Sequence, residues 1–183
     1  MPWQSVALGT VLSLSVAAPT AQYLPHVGLS IQDQDALAAH RLTVDIVGKV
    51  FAVDREFVQL LKTVPDLDAR AAELEKSFDV ERVGIIAVGP KVYEALPETA
   101  QVLQRRNISA RDYLLTKILA MIVEIQDGAL ASGVFQREGL GEDSFTTPAL
   151  KFWRAMDPGL KAQAARWQGT RREMEKYGRL KVW

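Results

Sequence analysis

Residues 107–133 read NISARDYLLTKILAMIVEIQDGALASG, and they decide the fold because they open like a capped helix and then run almost wholly apolar. Ser109 stands three residues before Asp112, so its hydroxyl oxygen can accept from the amide of residue 112 and start a helix there. Leu115, Ile118, Ile122, Ile125 and Ala129 recur at spacings of three and four along one seam, while Leu114, Leu119, Met121 and Val123 spread apolar surface round most of the cylinder. A helix apolar on nearly every side must be covered by neighbours on nearly every side. The expectation is a buried central helix over 109–132, with Lys117, Glu124 and Asp127 as the narrow stripe left to water or partners.

The covering elements are legible on both sides of it. Upstream, Thr43 precedes Ile46, Val50, Val53, Phe57, Leu60 and Val64, with Val47, Phe51, Val58 and Leu61 beside them, which is a long helix with a broad buried face ended by Pro65. Ser30 is placed to cap a short helix over 31–40, and residues 66–79 carry helix-favouring Ala, Glu, Leu and Lys behind Asp66. Gly84, Gly89 and Pro90 interrupt the next stretch, so short helical pieces are expected there, with Pro97 in the first turn of a helix ending near Asn107. Downstream, Thr147 and Pro148 open a short aromatic helix. Asp157 and Pro158 open a last one, along which Leu160, Ala164, Trp167, Met174 and Tyr177 approximate one face and Gly178 marks the end. The fold class is therefore all-α: a compact bundle of about five or six helices round the central one.

Composition narrows the function classes. The 183 residues are one domain's worth of chain, 48% apolar and 24% charged, enough to bury a core without staples. Basic and acidic residues balance at 22 each, so no global field draws the protein to nucleic acid. The balance is uneven along the chain, with 8 basic and 13 acidic residues over 31–100 against 14 and 9 over 101–183. With no cysteine, disulfides, thiol catalysis, zinc fingers and iron–sulfur ligation are excluded together. Val6 to Ala18 is an uncharged run of small and aliphatic residues, too short for a comfortable span of about 20 and suited to the apolar region of a signal peptide. Residues 1–21 are accordingly expected to be a signal peptide for a periplasmic or secreted protein. A linker follows over 22–29, then a single domain over 30–183 with a glycine-containing mobile loop near 133–147.

Three segments, RLTVDIVGKV (41–50), ISARDYLLTKILAM (108–121) and TPALKFWRAM (147–156), resemble in order and spacing a family of small exported all-helical bacterial proteins with no assigned activity. The resemblance spans roughly residues 30 to 177 and is made of caps and core positions. It implies an exported helical fold and no cofactor or catalytic residue. The loop at 133–147 is an insertion relative to that pattern.

Chemistry-bearing motifs are sparse. GIIAVGPK, residues 84–91, has the glycines of a phosphate loop, but Pro90 stands where that loop needs its lysine and has no amide to donate; a turn and a proline-started helix are expected instead. The only histidines, His26 and His40, form no Glu-x-x-His pair, so no metal or cofactor is expected. Glu124 and Asp127, three apart on the central helix, are the only focused acid/base candidates for an enzyme, set against the simpler reading of a wet helix edge. Phe152, Trp153, Trp167 and Tyr177 are candidates to line an apolar ligand pocket, or plain core. The tail over 161–183 holds seven basic residues against two acidic ones, and Arg171, Arg172, Lys176 and Arg179 are candidates for contact with an anionic membrane surface. The pattern leans toward a non-enzymatic binding protein for an apolar small molecule or a protein partner.

Overall fold

A computed structural model describes residues 29–131 and 146–178, and these are helical nearly throughout. The expected signal peptide, all but the last residue of the linker, the loop as far as residue 145, and Arg179 lie outside the described residues. Nine helices occur among those described: α1 (Ile31–Ala39), α2 (Val44–Thr63), α3 (Leu67–Lys76), α4 (Val80–Val83), α5 (Ile85–Ala95), α6 (Pro97–Arg105), α7 (Ala110–Ala131), α8 (Thr147–Ala155) and α9 (Pro158–Tyr177). The all-α bundle round a central helix is as the sequence leads one to expect. Its pieces are more numerous because 80–105 breaks at Gly84 and again at Leu96–Pro97.

Two sets of helix contacts organise the packing. Helix α9 lies along α2, and α7 packs against α5, α8 and α2. Thr43 Oγ1 accepts from the amide of Ile46 to start α2 (3.3 Å), and Val64, held extended ahead of Pro65, stops it. Ser109 Oγ accepts from the amide of Asp112 at 2.9 Å, the cap expected for α7. Between α6 and α7 the chain turns through Asn107 at φ 48°, a left-handed position that asparagine tolerates better than most residues. The core forms round Phe57, whose ring centroid lies 5.6 Å from Tyr93 and 5.4 Å from Tyr113, and extends to Phe51 against Trp167 at 4.9 Å.

Helix α5 departs from the expected turn. It runs unbroken through Gly89 and Pro90, because Ile86, Val88, Val92 and Tyr93 are all buried and hold it in place despite the one backbone bond that Pro90 cannot make. Its start is capped from a distance. Gly84, at φ 85°, has no side chain to offer, and Asp33 of α1 accepts from the amide of Ile86 at 3.1 Å instead. A Cβ on Gly84 would stand 2.5 Å from Asp33 Oδ2, so the glycine makes room for the cap.

The central helix is also less uniform than its composition implies. Residues 113–123 are buried almost without a break, but Ile125, expected in the seam, is 55% exposed. Lys117, expected in the wet stripe, is only 2% exposed. Among the described residues no helix is long and apolar enough to cross a membrane.

Candidate functional site

Lys117 marks the most chemically loaded place in the molecule. It faces Asp54, a carboxylate set in the middle of the apolar face of α2 between Val50 and Phe57 and completely buried. Asp54 Oδ1 accepts from the hydroxyl of Tyr113 and from Lys117 Nζ at 3.2 Å, and Oδ2 accepts from the indole N–H of Trp167 at 2.6 Å. Lys117 directs its remaining N–H groups to the Tyr113 oxygen at 3.0 Å and the Met174 sulfur at 3.9 Å. Tyr93 of α5 is hydrogen-bonded to Tyr113 in turn. Four helices, α2, α5, α7 and α9, thus meet at one carboxylate.

Burial dominates the electrostatics of this cluster. It pushes the Tyr93 and Tyr113 phenols well above their ordinary range, with the Asp54 charge adding to the effect, so both stay protonated and available as donors. It pulls the Lys117 ammonium below its usual value, while Asp54 pulls the other way. An Asp, a Lys and two Tyr in contact would be acid/base machinery in an open cleft. Here none of the four is more than 2% exposed, every donor and acceptor described is partnered, and no substrate can reach them. The cluster acts as a polar fastener between helices.

A second polar contact ties α1 to α7. His40 Nε2 lies 2.7 Å from Thr116 Oγ1, itself fully buried. Burial lowers the His40 pKa; Asp112 opposes that shift and Arg111 adds to it, both from the first turn of α7.

The residues singled out from the sequence fall into separate places. Glu124 accepts from Arg171 and Gln168 of α9, whereas Asp127 accepts from Arg154 of α8 at 2.8 Å. Each carboxylate faces its own arginine, so the two share no acid/base site. Trp153 and Trp167 are core, Phe152 is half-buried against it, and Tyr177 is 45% exposed; none of the four lines either depression found among the described residues. Arg171 turns inward, its guanidinium 4.3 Å from the Trp167 ring centroid, so of the four tail cations only Arg172 and Lys176 stand exposed among the described residues. No group of three His, Cys, Asp or Glu side chains among the described residues is arranged to hold a metal.

Among the described residues, two open depressions lie on the outside, each lined mainly by polar and charged residues with a few apolar ones. One, of about 570 Å³, sits where α2 and α7 begin and α6 ends, lined by Thr43, Asp45, Lys49, Gln104, Asn107 and Asp112 among others. The other, of about 350 Å³, is a groove between α2 and α9 closed at one end by Arg106. Neither was legible from the sequence, because each draws single residues from helices far apart in the chain. Comparison with protein-family models, curated proteins and solved structures finds no match to this chain.

Proposed function

We propose that this is a non-enzymatic, exported binding protein that engages a protein partner on its outer surface. The observation that carries the reading is the division between inside and outside. The interior is filled by aromatic and aliphatic side chains and locked by the Asp54 cluster, while the described depressions are open to solvent and rimmed by charged and polar side chains. A site for an apolar molecule needs a concave, largely apolar pocket. An enzyme needs its reactive groups within reach of substrate. Neither condition is supported, and the paired states of Glu124 and Asp127 weigh against the acid/base alternative.

The test is photo-crosslinking in the native host with a benzoylphenylalanine placed at Gln104, at Gln59 and, as a control on another face, at Asp35. All three side chains are exposed. A discrete protein adduct from Gln104 or Gln59 and none from Asp35 is the expected result. Absence of a position-specific adduct, or a stoichiometric apolar molecule found by native mass spectrometry of the extracted protein, would overturn the reading.

A further inference from the structure

Helix α9 presents to solvent a strip that its own packing does not use. Ala162, Ala165 and Gly169, spaced three and four apart, lie on the side opposite the buried seam of Leu160, Ala164, Trp167 and Met174, and Lys176 continues the strip two turns beyond Gly169. Lys161 and Arg172 flank it along one edge and Arg166 along the other. All four cations are exposed and none makes an ion pair with a described residue; Lys161 reaches only the carbonyl of Arg154, at 2.9 Å. Of the two acids on α9, Glu173 is held by Lys62 at 2.5 Å, and Glu175 lies off the strip, between it and the seam. On α2 and α6, by contrast, Lys49, Lys62, Arg105 and Arg106 each meet a carboxylate. Gly169 adds an observation of a different kind. It sits inside the helix, a Cβ there would meet nothing within 4 Å, and glycine in a helix interior is less stable than alanine, so packing within the described chain gives no reason for it.

From this we infer that the outward face of α9 docks an acidic α-helix of a protein partner. The inference rests on the reading of a surface-binding protein and names the chemistry of what binds. Charge complementarity sets the sign of the ligand, because four exposed cations border a strip that holds no acid. Shape sets its class. Ala162, Ala165 and Gly169 keep the middle of the face low, so a second helix can lay its own ridge there and bring its backbone close. The longer cationic side chains on both edges then reach acids on the flanks of that helix, and Arg166 and Arg172 can each take a carboxylate bidentately. A bilayer is the poorer match, since the strip has no large apolar or aromatic side chain to insert among headgroups. The neutral total of the molecule likewise provides no general affinity for polyanions, which leaves the attraction local to this face.

The test is fluorescence anisotropy of the intact chain with two labelled helical peptides, each carrying an alanine strip flanked on both edges by glutamate in one and by glutamine in the other, at low and physiological salt. The glutamate helix should bind, the glutamine helix should not, and salt should weaken binding, since exposed charges are screened over about 8 Å at physiological ionic strength. Arg172→Gln with Lys176→Gln should weaken binding about tenfold, the combined scale of two exposed ion pairs, with unchanged thermal unfolding. Gly169→Leu should abolish binding and leave the fold intact, because its Cβ enters open space within the chain and stands where the partner's backbone must come. Lys76→Gln, on α3, should have no effect. Adsorption of a bilayer or a nucleic acid by charge alone would survive Gly169→Leu. Insensitivity to that variant, equal binding of the two helices, no binding of either, or tighter capture by anionic vesicles or single-stranded DNA than by the glutamate helix would therefore each overturn the assignment. A benzoylphenylalanine in the native host at Tyr177, where an exposed aromatic already stands at one edge of the face, separates the two readings. Adducts from Gln104 or Gln59 with none from Tyr177 would sink the α9 face alone; loss of position-specific adducts everywhere would sink the surface-binding reading beneath it.

Discussion

Three carboxylates meet cations along α7, and they differ chiefly in how much water reaches them. At Lys117–Asp54 the side chains are 3% and 0% exposed; at Arg171–Glu124 they are 18% and 13%; at Arg154–Asp127 they are 51% and 39%. The chemistry is nearly constant along the series while the surroundings change from core to solvent. Position, more than the identity of the charged groups, therefore decides whether an ion pair holds helices together or decorates a surface.

The largest effect is expected at the buried end. Asp54→Ala leaves Lys117 as an uncompensated interior charge and strips partners from Tyr113 and Trp167, so unfolding free energy should fall by about 3–5 kcal/mol. Such a loss is comparable with the whole stability of a marginal domain, so soluble protein should be scarce or molten. A paired replacement, Asp54→Leu with Lys117→Met, should recover much of the loss in urea denaturation, because it removes both desolvation costs together. If the double variant were as unstable as Asp54→Ala, the cluster would owe its value to the tyrosine and tryptophan hydrogen bonds and the ion pair would be secondary.

His40 occupies an intermediate position, half-buried against the fully buried Thr116. Its pKa in the folded chain is lowered from the ordinary imidazole value chiefly by burial, so the unfolded chain takes up a proton first as the pH falls. The contribution is therefore complete above about pH 6.5 and is lost as pH drops toward the lower folded value. Denaturation of wild type and His40→Gln at about pH 7.5 and pH 5.5 checks this: the wild type should lose more stability across that window than the variant. Hydrogen exchange should place the loss in α1. A variant with the same pH slope as the wild type would assign the slope to other groups.

Much of the frame was legible because it depends on neighbours in sequence. The Ser30, Thr43, Ser109 and Asp157 caps lie within a turn of the amides they serve, and the α2 and α9 seams repeat at helical spacing. The Asp54–Lys117 fastener had a signal that could have been used: an acid at the centre of one apolar helix face and a base at the centre of another. Reading Lys117 as part of a wet stripe missed it, because the stripe was judged from one helix alone. The Asp33 cap on α5 spans 53 residues of sequence and leaves only a bare glycine as its trace. The exposure of Ile125 could not be read either, since it depends on which sides of α7 other helices cover. The two open depressions share that origin.

The outer end of the series is where the acid/base reading and the structural reading part most cleanly. Glu124 lies between Arg171 and Gln168, and Arg171 is braced on Trp167, so Glu124→Gln removes a charge but can keep the hydrogen bond to α9. Thermal unfolding should fall by the equivalent of about 1 kcal/mol or less. Asp127→Asn, at the pair most open to water, should cost no more than about 0.5 kcal/mol, and that cost should vanish in high salt because screening removes most of what an exposed pair contributes. Read together with Asp54→Ala, the three variants should rank by burial, with the outer two keeping an undisturbed fold and the same partner crosslinks. A loss of several kcal/mol at Asp127 would break the ranking and point to a role for that carboxylate beyond its arginine. Abolition of crosslinking at either outer site, with unfolding unchanged, would move the binding surface from the outward face of α9 to the face that α7 shares with α8 and α9.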